Sequence, residues 1–339
     1  MSVQNSSRTV SRGGKASGGK PSGPRSEKAS GGKPYPGELT TESVVWEAAS
    51  RVKNRGIFKV ETEGVGKTIP VAELEAAPTG GWLPGFEPPD FSSPEFAEFE
   101  DLDSSNVLPA WMGSYDNAQA EFVHGVDTRQ LISGAMLNQF PFNVICRLLI
   151  TAKNGQRYLG TGWLGGNRIL YTAGHCTCVR NAGGLASRIT IFPPGGAAIE
   201  ASNWGCTDEW SQTGSQVDDM GCIFINQPIP GRGWLGFDHP YNTDSQLLQL
   251  KLHVMGYPGD KPTGTMWGDS NQLTRVYDRQ LKYAIDTMGG QSGAAVMTST
   301  GEVVGIHNYG ANDGNLCSRI NPDVKAILHS WWKLSGSTN

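Results

Sequence analysis

The chain has 339 residues, of which 37% are hydrophobic and 18% charged, with 45 glycines, 20 prolines and a formal net charge of −4. So much glycine and proline argues against a helix bundle and for a turn-rich β protein, and the length allows one catalytic unit plus additional sequence. The small charge gives no reason to expect a nucleic-acid or membrane-surface partner, and no segment reaches the ~18 apolar residues that span a bilayer.

Residues 1–37 are Gly, Ser, Pro and Lys/Arg, with seven basic residues and the single acid Glu27, and the heptapeptide Lys-Ala-Ser-Gly-Gly-Lys-Pro occurs at 15–21 and again at 28–34. Such a segment cannot bury a core and is expected to be a largely disordered, solvated tail. It also lacks the apolar stretch of a secretory signal, so an export route is not legible there. From 38 to 120 the sign reverses, with fifteen Asp/Glu against five Lys/Arg and a proline-punctuated acidic stretch from Pro84 to Asp103. Residues 38–121 therefore read as an acidic prosegment or linker. Within them Gly64-Val-Gly-Lys67-Thr68 resembles the end of a phosphate-binding loop, but Glu61 stands where the first glycine belongs and no nucleotide site is expected.

From about 140 short apolar runs such as Phe142–Ile150 and Arg168–Tyr171 alternate with Gly and Asn turns, the pattern of a barrel or sandwich. One helix is predicted, at the end: Asn321 is a capping residue, Pro322 suits the first turn, and Val324, Ile327, Leu328 and Trp331 recur at helical spacing. The six cysteines, 146, 176, 178, 206, 222 and 317, are an even count that favours disulfides and an oxidising compartment, with fifteen pairings open. Cys176-Thr-Cys178 has no second Cys or His pair at ligand spacing, so no metal is expected.

Amide hydrolysis by a serine needs a base, an anion to orient it, and donors aimed at the developing oxyanion. His175 ends the strand-like run Ile169-Leu-Tyr-Thr-Ala-Gly-His175 as the candidate base. Asp219 directly precedes the apolar strand Met220–Ile225 and is preferred over Asp218 as the orienting acid. Ser292, in Gly289-Gly-Gln-Ser-Gly293, is the candidate nucleophile, with the amides of Gly290 and Ser292 as oxyanion donors. The order His, Asp, Ser differs from the Ser, acid, His order of α/β-hydrolases, and Ala294 stands where their nucleophile elbow requires glycine.

Residues from about 122 to 333 resemble the V8-like glutamyl endopeptidase branch of the chymotrypsin-fold serine proteases. The resemblance is carried by Asp127-Thr-Arg129, Gly160-Thr-Gly-Trp-Leu164, Thr172-Ala-Gly-His-Cys176, Asp219-Met-Gly221, Gly256-Tyr-Pro-Gly-Asp-Lys261, Gly264-Thr-Met-Trp267, Asp286-Thr-Met-Gly-Gly-Gln-Ser-Gly293 and Gly305-Ile-His307. It implies an all-β, chymotrypsin-like double six-stranded barrel over 122–339, closed by the C-terminal helix, with the triad between the barrels. It also implies cleavage after Glu (or Asp), with Thr287 and His307 at the offsets of the residues that bind the substrate carboxylate. Members hold that carboxylate partly with a mature α-amino group, and alignment on Arg129 puts this terminus at Phe122, just after Glu121. A precursor cut at Glu121–Phe122 is the consequence. Gln291 replaces the aspartate that receives the new amino terminus in trypsin-type zymogens. Ala294-Ala295 and Cys317 depart from the family pattern, and Gly160 stands where many relatives carry the partner of Cys176.

Two other readings stay open at this point. Asp286, six residues before Ser292, has the offset of the acid that gives trypsin-like enzymes their Lys/Arg preference. Alternatively, the fold serves as a catalytically inactive peptide-binding homologue. An HtrA-like quality-control protease is not expected, since only Gly293 to Asn339 follow Ser292. The expected partners are polypeptide substrates, with no cofactor, nucleic acid or membrane, for a monomer in a secreted or otherwise extracytoplasmic setting, with the cytoplasm as the alternative.

Overall fold

The computed structural model describes residues 107–114, 123–241, 243–299, 301–311 and 314–338. The basic tail, most of the acidic segment and the Glu121–Phe122 bond lie outside the described residues. The strands are, in order, β1 (Val107–Pro109), β2 (Gln130–Ile132), β3 (Ile145–Thr151), β4 (Arg157–Gly166), β5 (Ile169–Thr172), β6 (Cys178–Val179), β7 (Gly184–Leu185), β8 (Arg188–Phe192), β9 (Ile199–Glu200), β10 (Asn203–Cys206) and β11 (Gly221–Phe224), followed by β12 (Lys251–Gly256), β13 (Met266–Val276), β14 (Gln280–Tyr283), β15 (Ala295–Thr298), β16 (Val303–Ala311) and β17 (Gly314–Arg319). The helices are α1 (Gly174–Thr177), α2 (Asp208–Thr213), α3 (Asp244–Leu248) and α4 (Pro322–Leu334).

The expected pair of barrels is present. In the first, strands run in the order β10-β11-β5-β4-β3-β8-β9, an open half-barrel with β1 alongside β4. In the second, the path β12-β15-β16-β17-β14-β13 is closed by pairing of β12 with β13, giving six strands, and β2 is added to β13. The apolar runs behave as their composition predicts: Ile145, Leu148 and Ile150 of β3 and all four residues of β5 are buried. The run from Phe142 starts as a 3-10 turn over Phe142–Val144, so the strand itself begins at Ile145. A second core, including Leu252, Val254, Leu281, Tyr283 and Val304, fills the closed barrel.

The terminal helix forms as predicted. Asn321 Oδ1 accepts from the amide of Val324 at 3.0 Å, Pro322 occupies the first turn, and Val324, Ile327, Leu328 and Trp331 are its buried residues. That cap satisfies an amide left without an intrahelical partner, worth about 1 kcal/mol. Tyr171 Oη donates to the Leu328 carbonyl at 2.7 Å and ties the helix to β5, the strand that leads into His175. No described helix is long and apolar enough to cross a membrane.

Candidate active site

β5 ends at Thr172, and the chain turns through Ala173 into α1, whose second residue is His175. Gly174 has to be glycine here: a Cβ at that position would lie 2.8 Å from the ring of Trp210 and 2.9 Å from Asp219 Oδ1. The imidazole is thus free to lie against Asp219, which accepts from the His175 amide through Oδ1 at 2.8 Å and faces His175 Nδ1 through Oδ2 at 2.6 Å. Both residues are fully buried, and Trp210 packs edge-on against the imidazole at 6.0 Å between ring centroids. Burial disfavours the imidazolium, but the Asp219 carboxylate and the neighbouring Cys176 together outweigh it and hold His175 well above the ordinary histidine range. The rival carboxylate is occupied elsewhere. Asp218 pairs with Arg279 and accepts from Ser215 Oγ at 2.6 Å.

The Gly289–Gly293 loop packs against the same turn. Gly290 and Gly293 have φ of 110° and 90°, and a Cβ on Gly293 would meet Thr172 Oγ1 at 2.1 Å and the Thr161 carbonyl at 2.2 Å. Ser292 therefore approaches the first barrel at a distance that only glycine permits. Thr161 of β4 grips the loop twice: its amide donates to the Ser292 carbonyl at 2.9 Å and its hydroxyl to the Gly290 carbonyl at 2.8 Å. The neutral side chain of Gln291 stays within the second barrel, accepting from the Met288 amide at 3.0 Å.

Asn308 is a functional candidate that sequence reasoning did not single out. It is the extra residue of a β-bulge in β16, where the register with β17 shifts between His307 and Tyr309, and bulges characteristically re-aim side chains beside active sites. Its side-chain amide donates to the Asp219 carbonyl, its Oδ1 accepts from the Ser318 amide at 2.7 Å, and its own carbonyl lies 3.5 Å from Ser292 Oγ. The second barrel thus holds the acid that stands in the first.

Around the expected specificity pocket, Thr287 and His307 are both fully buried. Among the described residues Thr287 Oγ1 has no hydrogen-bond partner, an uncommon state for a buried hydroxyl and one that an incoming acceptor would relieve. His307 Nδ1 meets Tyr283 Oη at 2.6 Å; Tyr283 is a second residue the sequence reading missed, lying in β14 four positions before Thr287.

Asp286 is also buried, but its carboxylate is fully engaged. Oδ1 accepts from the His124 amide at 2.7 Å, while Oδ2 accepts from the Thr128 amide at 2.9 Å and the Thr128 hydroxyl at 2.8 Å. Asp269 supports it by accepting from the Asp286 amide at 2.8 Å. Next to this anchor, the buried Arg129 spans Asp127 and Asp260, and Lys261 bonds Asp127 at 2.8 Å while lying 4.3 Å over the Trp267 ring. Hydrogen bonds from Arg129 hold the Asp127 carboxyl far below the usual range. Four separate stretches of the sequence resemblance meet here and clamp residues 124–129 to the second barrel.

The cysteines correct one expectation. All six are buried free thiols rather than disulfides. Cys176 faces Gly160, where a Cβ would lie only 2.8 Å from its Sγ, so the position that needs a second sulfur has no side chain to carry one. Cys178 and Cys206 share an apolar cluster with Trp210, and the hydrogen bond between them lowers Cys178. Cys146 is pushed up to about 12 by burial. Among the described residues no group of three or more His, Cys, Asp or Glu side chains is arranged to hold a metal ion.

No family model matches the chain. A glutamyl endopeptidase of Bacillus licheniformis is 30% identical over 190 residues, covering 50% of this chain and 58% of that protein. A Bacillus subtilis protein named an extracellular metalloprotease is 31% identical over 226 residues, covering 63% of this chain and 70% of its own length. Among solved structures, a Glu endopeptidase in complex with MPD superposes with a TM-score of 0.54 at 22% identity, covering 62% of this chain and 99% of its own. This last likeness bears on the fold.

Proposed function

Because the chain belongs to the V8-like glutamyl endopeptidase branch of the chymotrypsin-fold serine proteases, we propose that it is a serine endopeptidase acting through His175, Asp219 and Ser292 and cutting after glutamate. The observation that carries the triad is the buried two-bond contact between Asp219 and His175, with the Ser292 loop packed on the same turn. In this reading Ser292 Oγ attacks the scissile carbonyl as His175 Nε2 takes its proton, and the resulting imidazolium is stabilised by Asp219. The amides of Gly290 and Ser292 receive the oxyanion. His175 returns the proton to the leaving amine, and water then attacks the acyl-enzyme by the same route, regenerating Ser292 and releasing the acid.

The preference for glutamate rests on two observations: Thr287 offers a buried hydroxyl without a partner among the described residues, and Asp286, the acid that would favour lysine, is held by His124 and Thr128. Thr287 and His307 would donate to the substrate carboxylate, whose burial otherwise costs several kcal/mol. Maturation at Glu121–Phe122 would free an α-amino group two residues from the His124 amide that is bonded to Asp286, adjacent in sequence to Thr287. We extend the proposal to polypeptide substrates, a monomer and an extracytoplasmic location, the last because the Bacillus subtilis relative is named extracellular. Labelling by an organofluorophosphate, lost in Ser292→Ala, together with matched substrates ending in Glu, Asp, Lys or Leu, tests the reading. Absence of labelling would identify a peptide-binding homologue, and faster turnover of Lys than Glu would overturn the specificity.

A further inference from the structure

The eight residues Val107–Ser114 lie upstream of Glu121–Phe122 and so fall in the segment that maturation would discard, yet they are built into the first barrel. β1 runs parallel to β4, with Val107, Leu108 and Pro109 opposite Arg157, Tyr158 and Leu159. Ala110 is fully buried and belongs to the same core cluster as Ile145, Leu148 and Tyr171. The 3-10 turn Ala110–Gly113 then packs against α1, the turn that carries His175, and against β6. Ser114 is buried and accepts through Oγ from the Arg180 amide at 3.2 Å. Ala110 and Ser114 are the buried residues of the segment, while Leu108 and Met112, at 40% and 49% exposure, lie towards solvent.

Both supports touched by this segment frame the candidate site. Leu159, opposite Pro109, sits so close to the oxyanion loop that a Cβ on Gly290 would lie 2.9 Å from its Cδ2. α1 holds His175 itself. Removing Val107–Ser114 would strip a strand from β4, open the space filled by Ala110 and take away the acceptor of the Arg180 amide. Each of these losses falls on the face of the first barrel that positions the base. Buried backbone amides and apolar pockets left open in this way are costly.

We propose that Val107–Ser114 is a resident strand of the catalytic unit: after the cut at Glu121–Phe122 it stays bound as a separate chain and supports the turn carrying His175. The inference rests on the proposed maturation for the existence of that cut, while the docking of the strand is independent of it. The mature species would be two-chained, its first chain ending at Glu121 and its second beginning at Phe122.

The test starts from the full chain, allowed to mature, with both termini mapped by mass spectrometry and the product passed through gel filtration without and with urea. The expected result is co-elution of a fragment containing Val107–Ser114 with the chain beginning at Phe122, and their separation in urea. A fully active chain beginning at Phe122 that carries no such fragment would overturn the proposal. In a second protein, Ser292→Ala with residues Asp116–Ala120 replaced by the recognition sequence of a site-specific endoprotease, the cut is made externally and retention is read wherever natural maturation occurs. Retention here without natural cutting at Glu121 supports the resident strand and refutes the maturation site; loss of the fragment refutes the strand. Ala110→Asp, which places a charge in the core, is expected to release the fragment after cutting and to lower kcat/KM by about tenfold or more, since an unpaired buried charge costs several kcal/mol. Unchanged or higher activity in the fragment-free Ala110→Asp enzyme would show the segment to be a bystander or an inhibitor and would overturn the supporting role.

Discussion

Asp286→Ala separates the two specificity readings. The carboxylate receives two backbone amides and one hydroxyl from residues 124–128, and hydrogen bonds to a charged acceptor contribute about 1.5–3 kcal/mol each. Water entering the space left by the carboxylate recovers part of this, so the substitution should loosen the clamp on residues 124–129 by about 3–6 kcal/mol. At 2–4 °C per kcal/mol for a domain of this size, the melting temperature should fall by roughly 6–24 °C. Circular dichroism in the Ser292→Ala background, where self-cleavage cannot interfere, reads that shift. In the active enzyme, kcat/KM on the glutamate substrate should fall and the ratio of Lys to Glu turnover should stay below one, because no pocket charge has been removed. The reasoning is refuted if the parent enzyme prefers Lys, Asp286→Ala abolishes that preference, and the melting temperature is unchanged.

Asp219→Asn should lower kcat by about 10⁴, the scale set by the same change in a chymotrypsin-fold enzyme, whereas Asp218→Asn, which weakens only the contacts with Arg279 and Ser215, should keep activity within a few-fold; steady-state kinetics of the pair decides between the two acids. With Asp219 present, kcat/KM should rise with pH only as the imidazolium, held well above the ordinary range, loses its proton, and in residual Asp219→Asn activity this limb should move to lower pH. For stability the direction reverses: the raised His175 value contributes fully below about pH 6.5, its unfolded value, and that contribution is lost as pH rises through the folded value. Tyr283→Phe should raise KM for the glutamate substrate about tenfold, the equivalent of one hydrogen bond, while leaving turnover of a leucine substrate unchanged. Gly160→Cys should form a bridge to Cys176, since the Cβ–Cβ distance of 3.6 Å suits a disulfide; a loop of this length should add about 3 kcal/mol under oxidising conditions, read as a higher melting temperature that reductant abolishes.

The elements whose direction is set by their immediate neighbours were legible in the sequence. The terminal helix displays its cap and its buried stripe within a dozen residues, and the run ending at His175 displays the small residues that admit the imidazole. Asp219 could be preferred over Asp218 because the strand beginning two residues later draws it inward. What stayed hidden depends on distant partners. Asp286 has the offset of a pocket acid, and only the docking of His124 and Thr128, some 160 residues earlier in the chain, settles where its oxygens go. Asn308 gives no local sign because a bulge, defined by its register with β17, aims its side chain. Val107–Ser114 sits in an acidic stretch whose composition says linker, and the small, buried Ala110 that docks it is unremarkable in sequence. The even cysteine count misled because parity says nothing about where each sulfur points.

The two barrels hold one another crosswise: Thr161 of the first grips the carbonyls of Gly290 and Ser292, and Asn308 of the second grips that of Asp219. This makes the boundary between them a poor place for recombination. A chimera joining the first half of this chain to the second half of a relative would build each clasp from parts of two different parents. Asp219 and Ser292 would then come from frames that had never been matched. Exchange within a barrel, leaving Thr161, Asp219, Ser292 and Asn308 from one parent, is the route by which such a protein can acquire new surface loops while keeping its chemistry in register.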